Sequence, residues 1–209
     1  MKNIINKKII LWDFDGVLMD SMPVRDRGFE LVLKEFPAQE VARLMEFHHA
    51  NGGLSRYVKF RYFFEEIRNE SISQNEVSIW ASKFSKVMKK ELLDKTLLIT
   101  DSLNFVKSNK DLFSMHIVSG SDQAELRYLC EKLNIASYFL SINGSPTPKK
   151  QLVSELLEDY KYDKDKTVLI GDSMNDFEAA QSNEIDFMGY NNKNLRKLKS
   201  IYIDRFTEV

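Results

Sequence analysis

Residues Ile9 to Ser21 read Ile-Ile-Leu-Trp-Asp-Phe-Asp-Gly-Val-Leu-Met-Asp-Ser, and this stretch constrains the fold more than any other. A short apolar run with β-branched residues is the pattern of a strand buried on both faces. It stops abruptly on two carboxylates, Asp13 and Asp15, with Gly16 behind them. In an open α/β sheet, ligands sit outside the carboxyl ends of the strands, so this strand delivers acid to a crevice. Two aspartates two apart on a strand point the same way and repel unless a cation or a shared proton intervenes. Gly16 lets the backbone turn away and come close to a ligand.

The remainder of the chain divides by pattern. From Met22 to about Leu98 the apolar spacing is helical throughout. Helices are predicted over Arg25–Phe36, Ala38–His49, Ser55–Arg68 and Ser73–Leu93, with Ser73 and Glu76 as a capping box. Pro37 and Asn51-Gly52-Gly53 separate the first three. After this bundle, strands predicted at Met115–Val118, Tyr138–Ile142, Thr167–Ile170 and Asp186–Gly189 alternate with helices at Asp101–Lys110, Gln123–Leu133, Lys150–Tyr160 and Asp176–Ser182. That alternation implies an α/β fold, a Rossmann-like three-layer parallel-sheet core interrupted by a helical bundle. Residues 1–20 and 96–209 are expected to form the core, and 21–95 the insert.

Composition narrows the functional classes. Formal net charge is −1 over 209 residues with both signs interspersed, so no basic field advertises a nucleic-acid partner. An apolar fraction of 43% suffices for a sizeable core, and 29% charged residues argue against a membrane protein. Cys130 is the single cysteine, set in an apolar helical stripe, so neither an internal disulfide nor a cysteine zinc site is available. The apolar run after the basic Met1–Lys8 ends too soon at Asp13 for a targeting segment, and the protein is expected to be cytoplasmic.

A second acidic strand end, Gly171-Asp172-Ser173-Met174-Asn175-Asp176, follows Thr167–Ile170. Asp176 could simply cap the next helix. If the two strand ends are neighbours, Asp13, Asp15, Asp172 and Asp176 converge, and that much negative charge calls for a hard cation with oxygen ligands, Mg²⁺ first. Ser119, with Gly120 and Ser121 behind it, stands at another strand end, where a hydroxyl and free N–H groups hold phosphate oxygens or cap a helix. Lys149 and Lys150 open a helix after Ser145-Pro146-Thr147-Pro148. One of them, Lys149 by preference, would neutralise charge in the crevice; a solvated surface pair is the alternative.

The four pieces, in this order, resemble the motifs of the haloacid dehalogenase superfamily. The helical insert resembles the cap domain of its branch containing β-phosphoglucomutase and phosphoglycolate phosphatase. The resemblance implies that Asp13 attacks phosphorus to form an aspartyl-phosphate, and that Asp15 serves as acid and then base. It further implies that Asp13, the backbone carbonyl of Asp15 and Asp172 hold Mg²⁺ with Asp176 behind, and that Ser119 and Lys149 complete the cradle beside Gly16 and Gly120. Aspartate at position 15 points to a phosphatase or phosphomutase acting on a small phosphorylated metabolite, as a monomer or weak homodimer. Gly53-Leu54-Ser55-Arg56 is similar to the cap segment with which the mutase grips a distal phosphate, which would make Arg56 a substrate clamp. The mutase's histidine after the first motif is replaced here by Arg25, so hydrolysis is favoured over a phosphosugar mutase. A binding protein without turnover would be expected to have lost a motif carboxylate, and none is lost.

Overall fold

A computed structural model describes residues 4, 6–198 and 200–208. Six parallel strands form the sheet: β1 (Ile9–Trp12), β2 (Ser114–Asp122), β3 (Ser141–Ser145), β4 (Thr167–Gly171), β5 (Asp186–Tyr190) and β6 (Ile201–Ile203). Their spatial order is β3-β2-β1-β4-β5-β6. The chain runs outward from β1 through β2 to β3, then returns to place β4 on the other flank of β1. Chain direction across the sheet therefore reverses between β1 and β4, the position where open α/β sheets place their ligand crevice. Trp12 is in register with Ile117 on β2 and Ile170 on β4, and the Asp13 amide donates to the Ile170 carbonyl at 2.9 Å. The first motif thus leaves the sheet level with the end of β4 and beside the stretch of β2 that runs on to Asp122.

Alternation along the central strands builds two cores. Ile10 and Trp12 of β1 face the core shared with the insert, while Ile9 and Leu11 pack against α7 (Lys149–Asp159) and α8 (Met174–Ser182). Helices α5 (Thr100–Asn109) and α6 (Gln123–Lys132) cover the first face, and Cys130 lies buried there.

The insert is a four-helix cap: α1 (Met22–Val32), α2 (Ala38–Ala50), α3 (Arg56–Tyr62) and α4 (Gln74–Glu91). The third helix continues as one π-helical turn, Phe63–Ile67, rather than the regular α-helix expected to Arg68. The wider turn lets consecutive Phe63 and Phe64 both turn inward, each packing edge-on against Phe36. The cap joins the core through two adjacent crossings. Asp20 donates to Leu97 and Ile99 to Leu18 across an antiparallel bridge between Met19 and Leu98.

Besides β2, which runs past Val118 to Asp122 with an irregularity in its pairing to β3, two core strands depart from the sequence pattern. The strand expected over Tyr138–Ile142 begins at Ser141, since Ala136–Tyr138 closes a 3-10 turn and pairing with β2 starts at His116–Ser141. Its Ser141 and Asn143 give an edge strand no apolar signature, and Leu140 just before it is exposed. The other is β6, three residues long, too short for periodicity to reveal.

The capping box on α4 is formed: the Ser73 hydroxyl accepts from the Glu76 amide, and the Glu76 carboxylate accepts from the Ser73 amide at 2.9 Å. Ser73→Ala is expected to cost about 1 kcal/mol, which for a chain this long lowers Tm by roughly 2–4 °C in a thermal melt. An unchanged melting temperature would contradict the box.

Candidate active site

Asp13 follows the last residue of β1 and is buried. Its Oδ1 accepts from the Phe14 amide and from Lys149 Nζ, both at 2.8 Å, which leaves Oδ2 with no partner among the described residues. Lys149 is the first residue of α7, and its ammonium also contacts Asp176 Oδ1. Asp176 Oδ2 accepts from the Ser173 amide at 3.0 Å and from its hydroxyl at 2.6 Å. Asp176 therefore belongs to a capping box with Ser173 as N-cap, and it anchors the lysine as well. Asp172 leaves β4 beside them and packs against Gly16, which sits at φ +76°. A Cβ at Gly16 would fall 2.0 Å from Asp172 Oδ2, so both the turn and the close approach require glycine.

Asp13, Asp172 and Asp176 each offer a carboxylate oxygen, all within 4.8 Å of one another. One ammonium faces three carboxylates. Burial, and then the charge of Asp176, push Asp13 up to about 7; burial, and then Asp13, push Asp172 well above the ordinary range. Lys149 is buried too, yet Asp13 and Asp176 hold it firmly protonated. Both Asp176 oxygens are already engaged, so Asp13 and Asp172 are the carboxylates left for a cation. An all-oxygen donor set with excess negative charge fits Mg²⁺.

Asp15 faces away from this cluster. Its Oδ1 accepts from the Ser21 hydroxyl and from Arg25 Nε at 2.7 Å, and its Oδ2 from the Ser121 hydroxyl at 2.5 Å. Burial works against ionisation here, but the Arg25 charge and the hydroxyl donors outweigh it and hold the carboxyl below its usual range. Its side chain is thus no member of the metal set, leaving only its backbone carbonyl for the role expected of it. Ser119 is buried, with its hydroxyl accepting from the Ser121 amide at 3.1 Å. Gly120 and Ser121 line the cavity above the carboxylates.

The cap closes over this floor. A Cβ on Gly120 would meet the Gly53 carbonyl oxygen at 2.1 Å, and Asn175 Nδ2 donates to that same oxygen at 3.1 Å. Tyr57 donates to Asp122 at 2.7 Å. Arg56 reaches down from α3 and grips Glu125 of α6 with both Nη1 and Nη2, donates to Ser85 at 2.7 Å, and stacks on Phe84. The residue expected to clamp substrate borders the cavity, but its guanidinium ties cap to core. A cavity of about 660 Å³ remains between the two, lined by Asp13, Asp15 and Asp172 below and by Arg25, Arg56 and Lys59 above. The sequence pattern gave Glu125 only a capping role and Ser121 only a place behind Ser119, and it assigned no ion pair to Arg25 and no role to Lys59. The one available signal was Arg56 and Lys59, three apart on the same helix.

The chain matches the family model described as "Haloacid dehalogenase-like hydrolase" over residues 10–190. No curated protein matches it. Among solved structures it resembles a predicted phosphoglycolate phosphatase from Haemophilus somnus, at 18% identity and TM-score 0.75 over 97% of this chain and 96% of that one. It also resembles β-phosphoglucomutase from Clostridium difficile, at 16% identity and TM-score 0.73 over 97% and 93%. A third is the HAD-hydrolase YfnB from Bacillus subtilis, bound to magnesium, at 14% identity and TM-score 0.70 over 97% and 96%. At such identities these likenesses establish the fold, cap included.

Because Asp13 and Asp172 hold protons more tightly than free carboxylates, a cation must displace protons at low pH. Both groups are raised on folding, so ionising them as pH climbs past the ordinary carboxylate range toward about 7 destabilises the metal-free fold. Added Mg²⁺ should therefore raise Tm more at pH 8 than at pH 5.5 in a differential scanning melt. An equal shift at both values would contradict the cluster's role.

Proposed function

The chain belongs to the haloacid dehalogenase-like hydrolase family, and from that premise we propose that it is a Mg²⁺-dependent phosphatase of a small phosphorylated metabolite, acting through an aspartyl-phosphate on Asp13. The observation that carries this is the pairing of two aspartates two residues apart in opposite electrostatic states. Asp13 sits in the carboxylate cluster with one free oxygen, and Asp15 sits in a nest of donors.

Mg²⁺, held by Asp13, Asp172 and the Asp15 carbonyl, would offset charge on the phosphoryl oxygens. With Oδ1 fixed by Lys149 and the Phe14 amide, Asp13 presents Oδ2 to phosphorus in a set orientation. Lys149 counters the charge of nucleophile and phosphoryl group together, while Asp176 keeps the ammonium in place. Gly120 and Ser121 border the space where phosphoryl oxygens would sit. Asp15, held ionised by Arg25, is in the form that takes a proton from water when the aspartyl-phosphate is hydrolysed. A phosphate dianion nearby raises the proton affinity of Asp15, which lets it protonate the leaving alkoxide in the first step. The cap contacts cover these groups on one side, and the cavity volume suits a small metabolite.

The mutase alternative rested on Arg56 gripping a distal phosphate. With its guanidinium taken up by Glu125 and Ser85, that support weakens, and Arg25 occupies the position after the first motif.

Asp13→Asn should lower phosphate release by more than about 1,000-fold while leaving the melting temperature and circular dichroism essentially intact. Substantial retained turnover would overturn the nucleophile assignment. Asp15→Asn should impair alkyl phosphates far more than p-nitrophenyl phosphate, whose leaving group needs no proton; equal losses on both would remove the acid role.

A further inference from the structure

The chain leaves β5 through Tyr190-Asn191-Asn192-Lys193-Asn194, and two of these asparagines reach back to the loops that carry the carboxylates. Gly189 on β5 is in register with Gly171 on β4, so the segment emerges beside the turn that bears Asp172. Asn192 Nδ2 donates to the Asp172 carbonyl at 2.7 Å, and Asn191 Nδ2 donates to the Gly16 carbonyl at 3.0 Å. Among the described residues neither carbonyl has another donor. Consecutive side chains on an extended chain point opposite ways. Asn191 breaks that alternation at φ +55°, a left-handed backbone that asparagine tolerates better than most residues, and both amides serve the same end of the sheet.

Asn192 is held at both ends of its carboxamide. Its Oδ1 accepts from the Asn194 amide at 3.1 Å and caps the 3-10 turn Lys193–Lys197, which the buried Leu195 anchors. With Oδ1 committed to a donor, Nδ2 is the atom that meets the Asp172 carbonyl, which fixes the orientation of the amide. The two loops joined in this way have no slack between them, since the Asp172 carboxylate already fills the place of a Cβ at Gly16. One loop carries Asp13 and the Asp15 carbonyl and the other carries Asp172, so the asparagines tie together the backbones behind the whole cation site. Asn192 is half-buried and Asn191 exposed, which makes the Asn192 contact the stronger of the two.

We propose that Asn192, assisted by Asn191, is a positioning residue that sets the spacing of Asp13 and Asp172 and thereby the cation the site prefers. This rests on the metal-dependent phosphatase reading and extends it to residues acting through the backbone of the metal ligands. Mg²⁺ demands near-ideal octahedral geometry at short distances, whereas Ca²⁺ accepts a wider and looser set of oxygens. A clasp across both loops favours the smaller ion.

The test is Mn²⁺ binding to the substrate-free protein, measured by electron paramagnetic resonance of the free ion, with Mg²⁺ and Ca²⁺ as competitors. Asn192→Ser keeps a hydroxyl able to cap the 3-10 turn but falls short of the Asp172 carbonyl, so it separates the clasp from the stability of the turn. It should weaken Mn²⁺ binding about 10-fold or more, the range typical of outer-shell partners, and weaken Mg²⁺ more than Ca²⁺. The melting temperature of the metal-free protein should stay essentially unchanged. Saturating Mg²⁺ should restore most of kcat on p-nitrophenyl phosphate, which places the defect in the KM for the metal. Asn191→Gly keeps the left-handed backbone and removes the amide; it should give a smaller loss in the same direction, and it decides the question if Asn192→Ser fails to fold. Mn²⁺ affinity within about twofold of wild type, or equal losses for Mg²⁺ and Ca²⁺, overturns the clasp. If wild-type protein binds no Mn²⁺, the cation site fails and the clasp with it. If it binds Mn²⁺ but releases no phosphate from p-nitrophenyl phosphate, the phosphatase reading fails by itself, and the binding measurements still decide the clasp.

Discussion

Lys149 is the interaction on which the site depends. Its ammonium lies between Asp13 and Asp176, and without it three carboxylates within 4.8 Å, two of them buried, would confront one another with no positive charge. The fold supplies each member from a different element. Asp13 comes from the end of β1, Asp172 from the turn after β4, Asp176 from the first turn of α8, and Lys149 from the start of α7. These elements meet because β4 lies directly beside β1, with α7 and α8 packed on the same face of the sheet. One lysine cannot neutralise the cluster, as the raised proton affinities of Asp13 and Asp172 show. That residual charge is what makes the crevice receptive to a hard cation and a phosphoryl group.

A second electrostatic layer lies above the first and is built across the junction of cap and core. Glu125, on the core helix α6, receives Arg56 from α3 and Arg25 from α1, so both cap helices are drawn onto one buried carboxylate. The backbones of Gly53 and Gly120 meet without side chains between them. Removing one partner of such a buried pair by substitution would strand a charge in the closed arrangement. Any opening at the Leu18–Asp20 and Leu97–Ile99 crossings would have to break these cap-to-core contacts.

What the sequence made legible follows from backbone position. Asp13, Asp15, Asp172 and Lys149 stand at strand ends or a helix start, where chain direction settles where a side chain goes, and the capping box at Ser73 is purely local. Glu125 shows the limit. As the third residue of α6 it reads as a capping acid, and Asp122 does cap its amide, but its carboxylate is taken by arginines 69 and 100 residues away. His48 reads as bundle packing or surface and proves to be the buried acceptor for Lys59. Such pairings arise only when the cap docks, and no periodicity encodes docking. The edge strands escaped for a different reason: β3 carries polar residues and was placed too early, and β6 spans three residues and was missed, since neither presents an apolar alternation.

The central claim, that Asp13 and Asp172 are the two arms of one cation site, is open to direct measurement. Crystals grown with Mn²⁺ in place of Mg²⁺ allow the ion to be located by anomalous diffraction. The account predicts one strong peak within coordination distance of carboxylate oxygens of both Asp13 and Asp172, with Lys149 still bridging Asp13 and Asp176. A peak elsewhere, or none between these two aspartates at saturating Mn²⁺, would contradict it.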